Sequence, residues 1–303
     1  MSGPDEIARA ARLIREGGLV AFPTETVYGL GANALNAAAV KKIFALKGRP
    51  STSPLIVHVD SIDMARSLVT TWPAKADELA RQYWPGPLTL VLPKQPSIPD
   101  EVTAGLPTVG VRMPAHSIAL ALIREAGVPI AAPSANRFTA LSPTTAAHVR
   151  SAFRDDLTIL DGGPTSVGIE STVVSLVTGE PILLRPGMLT IAASAAPRFE
   201  NDTPHPAPGM HARHYSPRTP LVIVDGALLP PGRGAYVFID REIPAAHAIR
   251  MSADPLAYAA VLYGTLHDLD RQTLDWIAIE RPPSTTAWDA INDRLRRAAS
   301  PAK

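Results

Sequence analysis

The chain has 303 residues, enough for one large domain or two ordinary ones, and 46% of them are apolar, so a sizeable core can be buried. Its 29 basic and 28 acidic side chains nearly cancel, leaving a formal charge of +1, which argues against a protein held on nucleic acid or membrane by bulk electrostatics. With no cysteine, a disulfide framework, a thiolate nucleophile and a zinc knuckle are excluded together.

The first residues, Met1-Ser-Gly-Pro-Asp-Glu-Ile7, carry no basic region followed by an apolar run, and no stretch approaches the length that spans a bilayer. A soluble, cytoplasmic protein without membrane attachment is expected. The spacing of Ile7, Ala10, Ala11 and Ile14 predicts an amphipathic helix over 5–16, stopped by Gly17-Gly18. Leu19-Val-Ala-Phe22 then reads as a buried strand, and Phe22-Pro-Thr-Glu-Thr-Val-Tyr-Gly-Leu-Gly31 follows it as a polar, glycine-punctuated turn. Such strand ends form floors for small polar ligands in open α/β sheets.

A helix over 36–47 places Lys47 on the same stripe as Val40, Ile43 and Phe44. The ordinary reading of such a cation is a snorkelling stem, or a complement to the helix C-terminus. Pro50 and the strand Leu55-Ile-Val-His-Val59 follow at once, so Lys47 and Arg49 are held near the sheet. Strand 19–22, helix 36–47 and strand 55–59 are expected to form a βαβ-like unit. Helices near 61–69 and 74–82 precede strands 88–92 and 108–113. Arg112 alternates with Val109 and Val111, and spacing alone favours a charge on a solvated face. Helix 116–126 and strand 128–133 deliver Ser134-Ala-Asn136, residue types that suit phosphate or ribose contacts and equally suit turns and caps. Ser142-Pro-Thr-Thr145 is expected to cap the next helix with Pro143 at its first position.

Strand 158–163 ends in paired glycines, Ser171 and Thr172 open another strand, and Ile182-Leu-Leu-Arg185 ends in a cation before Pro186-Gly187. Hydroxyls, glycines and cations thus recur at strand ends. From about 192 to 217 the composition turns to Ala, Pro and His, which reads as a linker. His211 and His214 within it would be metal ligands only on a helix and with a third partner, so an ordered loop is favoured. Strands 221–224, 235–239 and 276–279, a helix over 252–271 and a final helix over 286–299 predict a second, smaller α/β unit. Arg294, Arg296 and Arg297 on that last helix are expected on a solvated face, with a minor tRNA or partner contact as the alternative.

Neither a Walker A sequence nor a complete dinucleotide fingerprint is present, and a nucleophile elbow and a His-Glu-x-x-His motif are absent as well. Lys47, Arg49, Arg112 and Arg185 among scattered hydroxyls suit a polyphosphate and a carboxylate, and no proton-abstracting base stands out. This favours transfer to phosphorus by positioning and charge neutralisation.

Eight segments in one collinear series over residues 5–190 resemble the YrdC-type threonylcarbamoyl-AMP synthases: Phe22–Gly31, Lys47-Gly-Arg49, Pro54–His58, Trp84–Thr89, Val111–Pro114, Ala132–Asn136, Gly168–Thr172 and Leu184–Gly187. Pro208–Pro217 and the second unit resemble the long, two-domain branch. The resemblance implies a YrdC-like twisted mixed sheet flanked by helices over 1–192, a linker and active-site cover over 193–217, and a small Rossmann-like α/β domain over 218–303. It implies that L-threonine, bicarbonate and ATP give threonylcarbamoyl-AMP and pyrophosphate, for the adenosine beside the tRNA anticodon, with a separate transferase downstream. Magnesium would arrive with ATP rather than in a protein-built metal site.

By matching position, the resemblance implies that Thr24, His58, Arg112, Ala132 and Ser171 hold threonine. Lys47, Ser51, Thr108, Ser134, Ser142, Arg185 and Tyr215 would hold ATP, with Arg49 and Asn136 completing the phosphate environment and Lys47 and Arg49 carrying catalysis. Two other readings stand beside it. A non-catalytic RNA-binding module sits poorly with near-zero charge and 5% aromatic residues. O-carbamoylation or hydrogenase-maturation chemistry occurs in larger chains that carry zinc fingers and further catalytic domains.

Overall fold

The computed structural model describes residues 2–153, 157–195, 214–226 and 228–299. Helix α1 (Pro4–Arg15) starts on a proline, buries Ala10, Ala11 and Ile14, and leads through Gly17 at φ 79° into strand β1 (Val20–Phe22). Strand β1 pairs antiparallel with β2 (Gly29–Asn33), with Phe22 opposite Gly29. The polar stretch after Phe22 is therefore a hairpin loop over 23–28, and its last residues return as a strand rather than continuing a turn. Gly31 is required in that strand, because a Cβ there would meet Phe22 Cε1 and Ile130 Cγ2 at 2.7 Å.

Helix α2 (Ala37–Lys47) is capped by Asn36, whose side chain accepts from Ala39 N at 3.1 Å, and ends at Gly48 in the left-handed region, φ 64°. Strand β3 (Ile56–His58), helices α3 (Ile62–Ser67) and α4 (Ala74–Tyr83), strand β4 (Leu88–Pro93) and a short helix α5 (Asp100–Thr103) follow. Next come β5 (Thr108–Arg112), α6 (Ser117–Ala126), β6 (Ile130–Ala131), α7 (Ala146–Ala152), β7 (Thr158–Ile159), β8 (Thr172–Ser175), β9 (Ile182–Arg185) and β10 (Ser194–Ala195). The ten strands form one mixed sheet in the order β10-β9-β8-β4-β5-β3-β6-β2-β1-β7. Strand β6 lies between β2 and β3, antiparallel to both, so the crossover through α2 starts from β2 and skips a strand. The expected βαβ-like unit beginning at β1 is thus replaced by a split one, because the hairpin loop reverses the chain first.

Pro143 does not open a helix. Thr145 is the cap of α7, accepting from His148 N at 3.2 Å, and the Pro143 carbonyl accepts from Tyr28 N at 2.9 Å instead.

A second sheet is fully parallel, in the order β11 (Leu221–Val224), β14 (Trp276–Glu280), β12 (Gly234–Phe238), β13 (His247–Arg250). Helix α8 (Pro255–Asp270), capped by Asp254, and α9 (Asp289–Ala298), entered through a 3₁₀ turn at Thr286–Trp288, pack against it. The α/β class, with one large mixed sheet and a smaller α/β unit, is as the sequence predicts. The two units share apolar packing: Val27, Leu141 and Ile169 from loops of the first lie in one cluster with Leu262, Tyr263 and Leu266 of α8. Burying an apolar side chain contributes about 1.5–3 kcal/mol, so these loops are set by both units.

Two predictions follow from that junction. Gly168 has φ 80°, and a Cβ there would lie 2.6 Å from Ala260 Cα and against the Ala259 carbonyl of α8. Backbone cannot yield as a side chain can, so Gly168→Ala is expected to destabilise by about 2–4 kcal/mol, read as a lowered Tm; an unchanged Tm would show that α8 is not seated on this loop. Beside it, His148 of α7 and His267 of α8 stack with ring centroids 3.9 Å apart. Burial, then the charges of His267 and Arg271, hold His148 down at about 4 from the ordinary 6.5, and burial likewise lowers His267. Between pH 6.5 and 4 the unfolded chain takes up protons that folded His148 refuses, so stability is present above 6.5 and falls as the pH drops toward 4. A Tm titration of wild type against His148→Gln should show a shallower fall in the variant across that window; superimposable curves would contradict the assignment.

Candidate active site

The hairpin loop supplies one wall of the site. Thr24 Oγ1 accepts from the backbone N–H of Thr26 and of Val27, each at 3.2 Å, and donates to Val27 O at 2.7 Å. These bonds close the loop on itself, as a threonine at a turn does. The phenol of Tyr28 donates to Gly163 O at 2.7 Å and accepts from Gly162 N at 3.1 Å, which ties the loop to the glycines after β7.

Adjacent strands supply the next groups. His58 ends β3 and Arg112 ends β5, and the parallel register places them side by side. Arg112 is 4% exposed and forms an ion pair with Glu25, Nη2 to Oε1 at 2.8 Å, while Nε donates to Gly86 O at 3.3 Å. The solvated-face reading of Arg112 is therefore corrected. Thr108 and Gly110, on the same face of β5, stay half-buried, and it is the Glu25 carboxylate and the Gly86 carbonyl that cover Arg112 at the strand end. Burial, then the Arg112 charge, holds His58 down at about 3, so its imidazole is neutral at physiological pH.

Lys47 is 2% exposed, and its Nζ donates to Ser134 O at 2.6 Å and to Asn136 O. Burial, then the charges of Arg49 and Arg137, push its pKa well below the ordinary lysine value. Lys47 thus stands under the Ser134-Ala-Asn136 turn and shapes it. Asn136 itself is buried and donates through Nδ2 to Arg137 O at 2.9 Å and Ala140 O at 2.8 Å. Arg49 donates to Pro54 O at 3.1 Å, and burial brings its pKa down to about 10. Arg185, at the end of β9, donates from Nε and Nη2 to Ser171 O at 3.1 and 3.0 Å. Ser171 Oγ in turn lies 2.8 Å from Thr89 Oγ1.

These groups converge on one cleft. All five residues expected for threonine line it: Thr24, His58, Arg112, Ala132 and Ser171. Of the nucleotide set, Arg49, Ser134, Arg185 and Tyr215 line it too. Lys47, Asn136 and Ser142 stand outside the lining, Ser142 donating to Glu170 Oε1 at 2.6 Å. Ser51 is exposed after α2, and Thr108 is half-buried at the start of β5, the end opposite Arg112, so neither belongs to the lining.

Apart from Arg112 Nη2, which is ion-paired with Glu25, three buried polar atoms of lining residues have no hydrogen-bond partner among the described residues: His58 Nδ1, Arg49 Nε and the Tyr215 hydroxyl. Buried polar groups are nearly always bonded, so such a concentration marks a place built for a ligand. Tyr215 also holds a left-handed φ of 60°, a strained backbone for a bulky residue. His211 and most of the expected cover over 193–217 lie outside the described residues. His214 packs edge-on against Phe138, ring centroids 6.1 Å apart. Among the described residues, no group of three or more His, Asp or Glu is placed to hold a metal ion.

Sequence reasoning assigned no role to two carboxylates and, besides Arg112, misplaced Arg294 and Arg297. Glu25 pairs with Arg112, and Glu170 lines the cleft. Arg294 is fully buried, its Nε 2.8 Å from Glu170 Oε2, so the solvated-face reading fails for it. Arg296 is largely exposed and follows the expectation, whereas Arg297 is mostly covered; both pair with Asp293. An acidic residue between Ile169 and Ser171 was the only local signal, and its partner lies 124 residues away.

Comparison with known proteins agrees with this arrangement. Residues 12–187 match the Sua5, YciO and YrdC family, described as "Telomere recombination", and residues 176–300 match "Threonylcarbamoyl-AMP synthase, C-terminal domain". A Bacillus subtilis protein named threonylcarbamoyl-AMP synthase is 44% identical, over 97% of this chain and 93% of its own. One of the same name from Pyrococcus abyssi is 42% identical, over 97% and 94%. The crystal structure of P. abyssi Sua5 complexed with L-threonine superimposes with a TM-score of 0.90 at 41% identity, covering 97% of this chain and 94% of that one. With both matches running collinearly through the cleft and the second sheet, the chain belongs to the long, two-domain Sua5 branch of the Sua5, YciO and YrdC family.

Proposed function

We propose that this protein is a threonylcarbamoyl-AMP synthase, a nucleotidyltransferase that joins L-threonine, bicarbonate and ATP and releases pyrophosphate. The observation that carries this reading is the convergence of two chemistries on one cleft. Arg112, neutral His58 and Thr24 are a set suited to an amino acid. Arg49 and Arg185 with Tyr215 are a set suited to a phosphate chain and a ring. The names of the full-length relatives favour catalysis over a non-catalytic RNA-binding module.

In this reading Arg112 takes the threonine carboxylate, and Glu25 holds the guanidinium in place from behind. His58, neutral, accepts a hydrogen bond without adding a repulsive charge near Arg112. The threonine free amine attacks the carbon of CO2, one C=O bond opening to a carboxylate oxygen as the nitrogen loses a proton; from bicarbonate the same carbamate forms with a C–O bond breaking and one water leaving. A carbamate oxygen then attacks the α-phosphorus, and the bond from that phosphorus to the bridging oxygen of pyrophosphate breaks. Arg49 and Arg185 neutralise charge that builds on the phosphates, the main contribution a protein makes to such a transfer. Lys47 contributes by fixing the turn that presents Ser134, and Ser142 by fixing Glu170. Magnesium enters as part of the ATP complex. Ser51 and Thr108 remain candidates for the far end of the nucleotide.

We assign residues 1–192 to the catalytic unit, 193–217 to the connection and cover, and 218–303 to the second unit. The product serves tRNA threonylcarbamoylation in the cytoplasm, through a separate transferase.

Purified protein should release pyrophosphate from ATP only when L-threonine and bicarbonate are both present, and Lys47→Ala should abolish the release. Arg112→Lys, which loses the planar fork that matches a carboxylate, should raise the KM for L-threonine ~10-fold or more and leave the KM for ATP within about twofold. Release that ignores threonine would defeat the proposal.

A further inference from the structure

The second unit reaches the cleft through a buried polar network that the proposed reaction has not used. Its centre is Glu170, on the loop before β8. One carboxylate oxygen, Oε1, accepts from Ser142 Oγ at 2.6 Å. The other, Oε2, accepts from Arg294 Nε of α9 at 2.8 Å and from the Tyr263 hydroxyl of α8 at 3.1 Å. The Arg294 guanidinium also lies 3.0 Å from Asp293 Oδ2 and covers the Tyr215 ring, 5.3 Å from its centroid. His267 of α8 adds a further clamp, its Nε2 3.1 Å from Ser142 O.

The groups held in this way, Ser142 and Tyr215, belong to the set expected to hold ATP, Tyr215 lining the cleft and Ser142 standing outside its lining. Ser142 is bonded to Glu170, Tyr215 is stacked under Arg294, and the next residue, Ser171, gives its carbonyl to Arg185. Of the groups expected to meet threonine, Ser171 follows Glu170 directly and accepts from Arg185, whereas Arg112 and Thr24 carry no contact of this kind. Arg112 is set by Glu25 and Gly86, and Thr24 by its own loop.

Stability alone is a poor explanation for the pair. A buried ion pair is often no more stabilising than apolar side chains of the same volume, and loss of one partner leaves the other charge stranded. Placement at a ligand cleft, with both carboxylate oxygens bonded, is what an orienting group requires.

We propose that Arg294 of the second unit is a positioning residue for the nucleotide: through Glu170 and Tyr215 it sets the Ser142, Arg185 and Tyr215 side of the cleft. The second unit is then part of the catalytic site rather than an appended module. This rests on the synthase reading above.

The test compares full-length wild type, Arg294→Met and the double variant Arg294→Met/Glu170→Met for pyrophosphate release, KM of each substrate, and Tm. The single variant should raise the KM for ATP at least tenfold and leave that for L-threonine within twofold. The double variant, which strands no charge, should recover most of the lost Tm yet keep the high KM for ATP. If the KM for ATP returns to the wild-type value together with the Tm, or never rose, Arg294 is a bolt between units and the inference is wrong. Wild type without threonine-dependent release would instead overturn the synthase reading itself. If the single variant does not fold, the double variant alone decides.

Discussion

The structure depends on how it keeps cations out of water. Lys47, Arg49, Arg112, Arg185 and Arg294 are all buried, against buried carboxylates at Glu25, Glu170 and Asp293. Removing a charge from water costs several kcal/mol even after relaxation, so each must be paired, bonded or neutralised. The chain uses a different solution at each. Arg112 takes Glu25, Arg294 takes Glu170 and Asp293, and Lys47 is wrapped by two carbonyl oxygens with its pKa driven down. Arg49 is left with a carbonyl and no carboxylate among the described residues, and it faces the cleft. A cleft with residual positive charge in a low dielectric is a strong site for a phosphate chain, because the attraction is little screened there.

The same constraint explains why two sheets are needed. Glu170 sits on a loop of the first unit, yet most of what satisfies its carboxylate comes from helices of the second. The shared apolar cluster around Val27, Ile169 and Tyr263 brings those helices into reach. Packing therefore places the charges, and the charges in turn place the side chains that face the cleft. Tyr215 is the clearest product of both: it is strained in its backbone, buried, and stacked beneath Arg294.

Much of this was legible in the sequence, for identifiable reasons. A helix with a clean apolar stripe, such as α1, and short apolar runs that form buried strands, such as β4 and β14, announce themselves in the sequence. The five residues expected to meet threonine also line one cleft, because they sit in short motifs at strand ends and the strands deliver them together. Three things were not legible. The return of Gly29–Asn33 as a strand was hidden because two glycines and a small residue look like a turn until the Phe22 ring is seen to need the space. Arg112 looked solvated because alternation reports facing alone, and the Glu25 and Gly86 groups that cover it come from other segments of the chain. Arg294 looked solvated because it lies among charged residues on α9, and its partner is supplied by tertiary packing across 124 residues. Local pattern carries no information about such a pair.

The measurement that tests the central claim most directly is the thermal shift of the wild-type protein with ATP, inorganic pyrophosphate and adenosine at equal concentration. Any ligand that binds the folded state alone raises Tm by mass action, by ~2.7 kcal/mol of added stability at a hundredfold excess over Kd. If the buried charge of Arg49 organises the cleft, ATP should give a large shift, pyrophosphate a clear one and adenosine little, with the first two shrinking as salt is raised. Equal shifts from adenosine and ATP, insensitive to salt, would contradict the account.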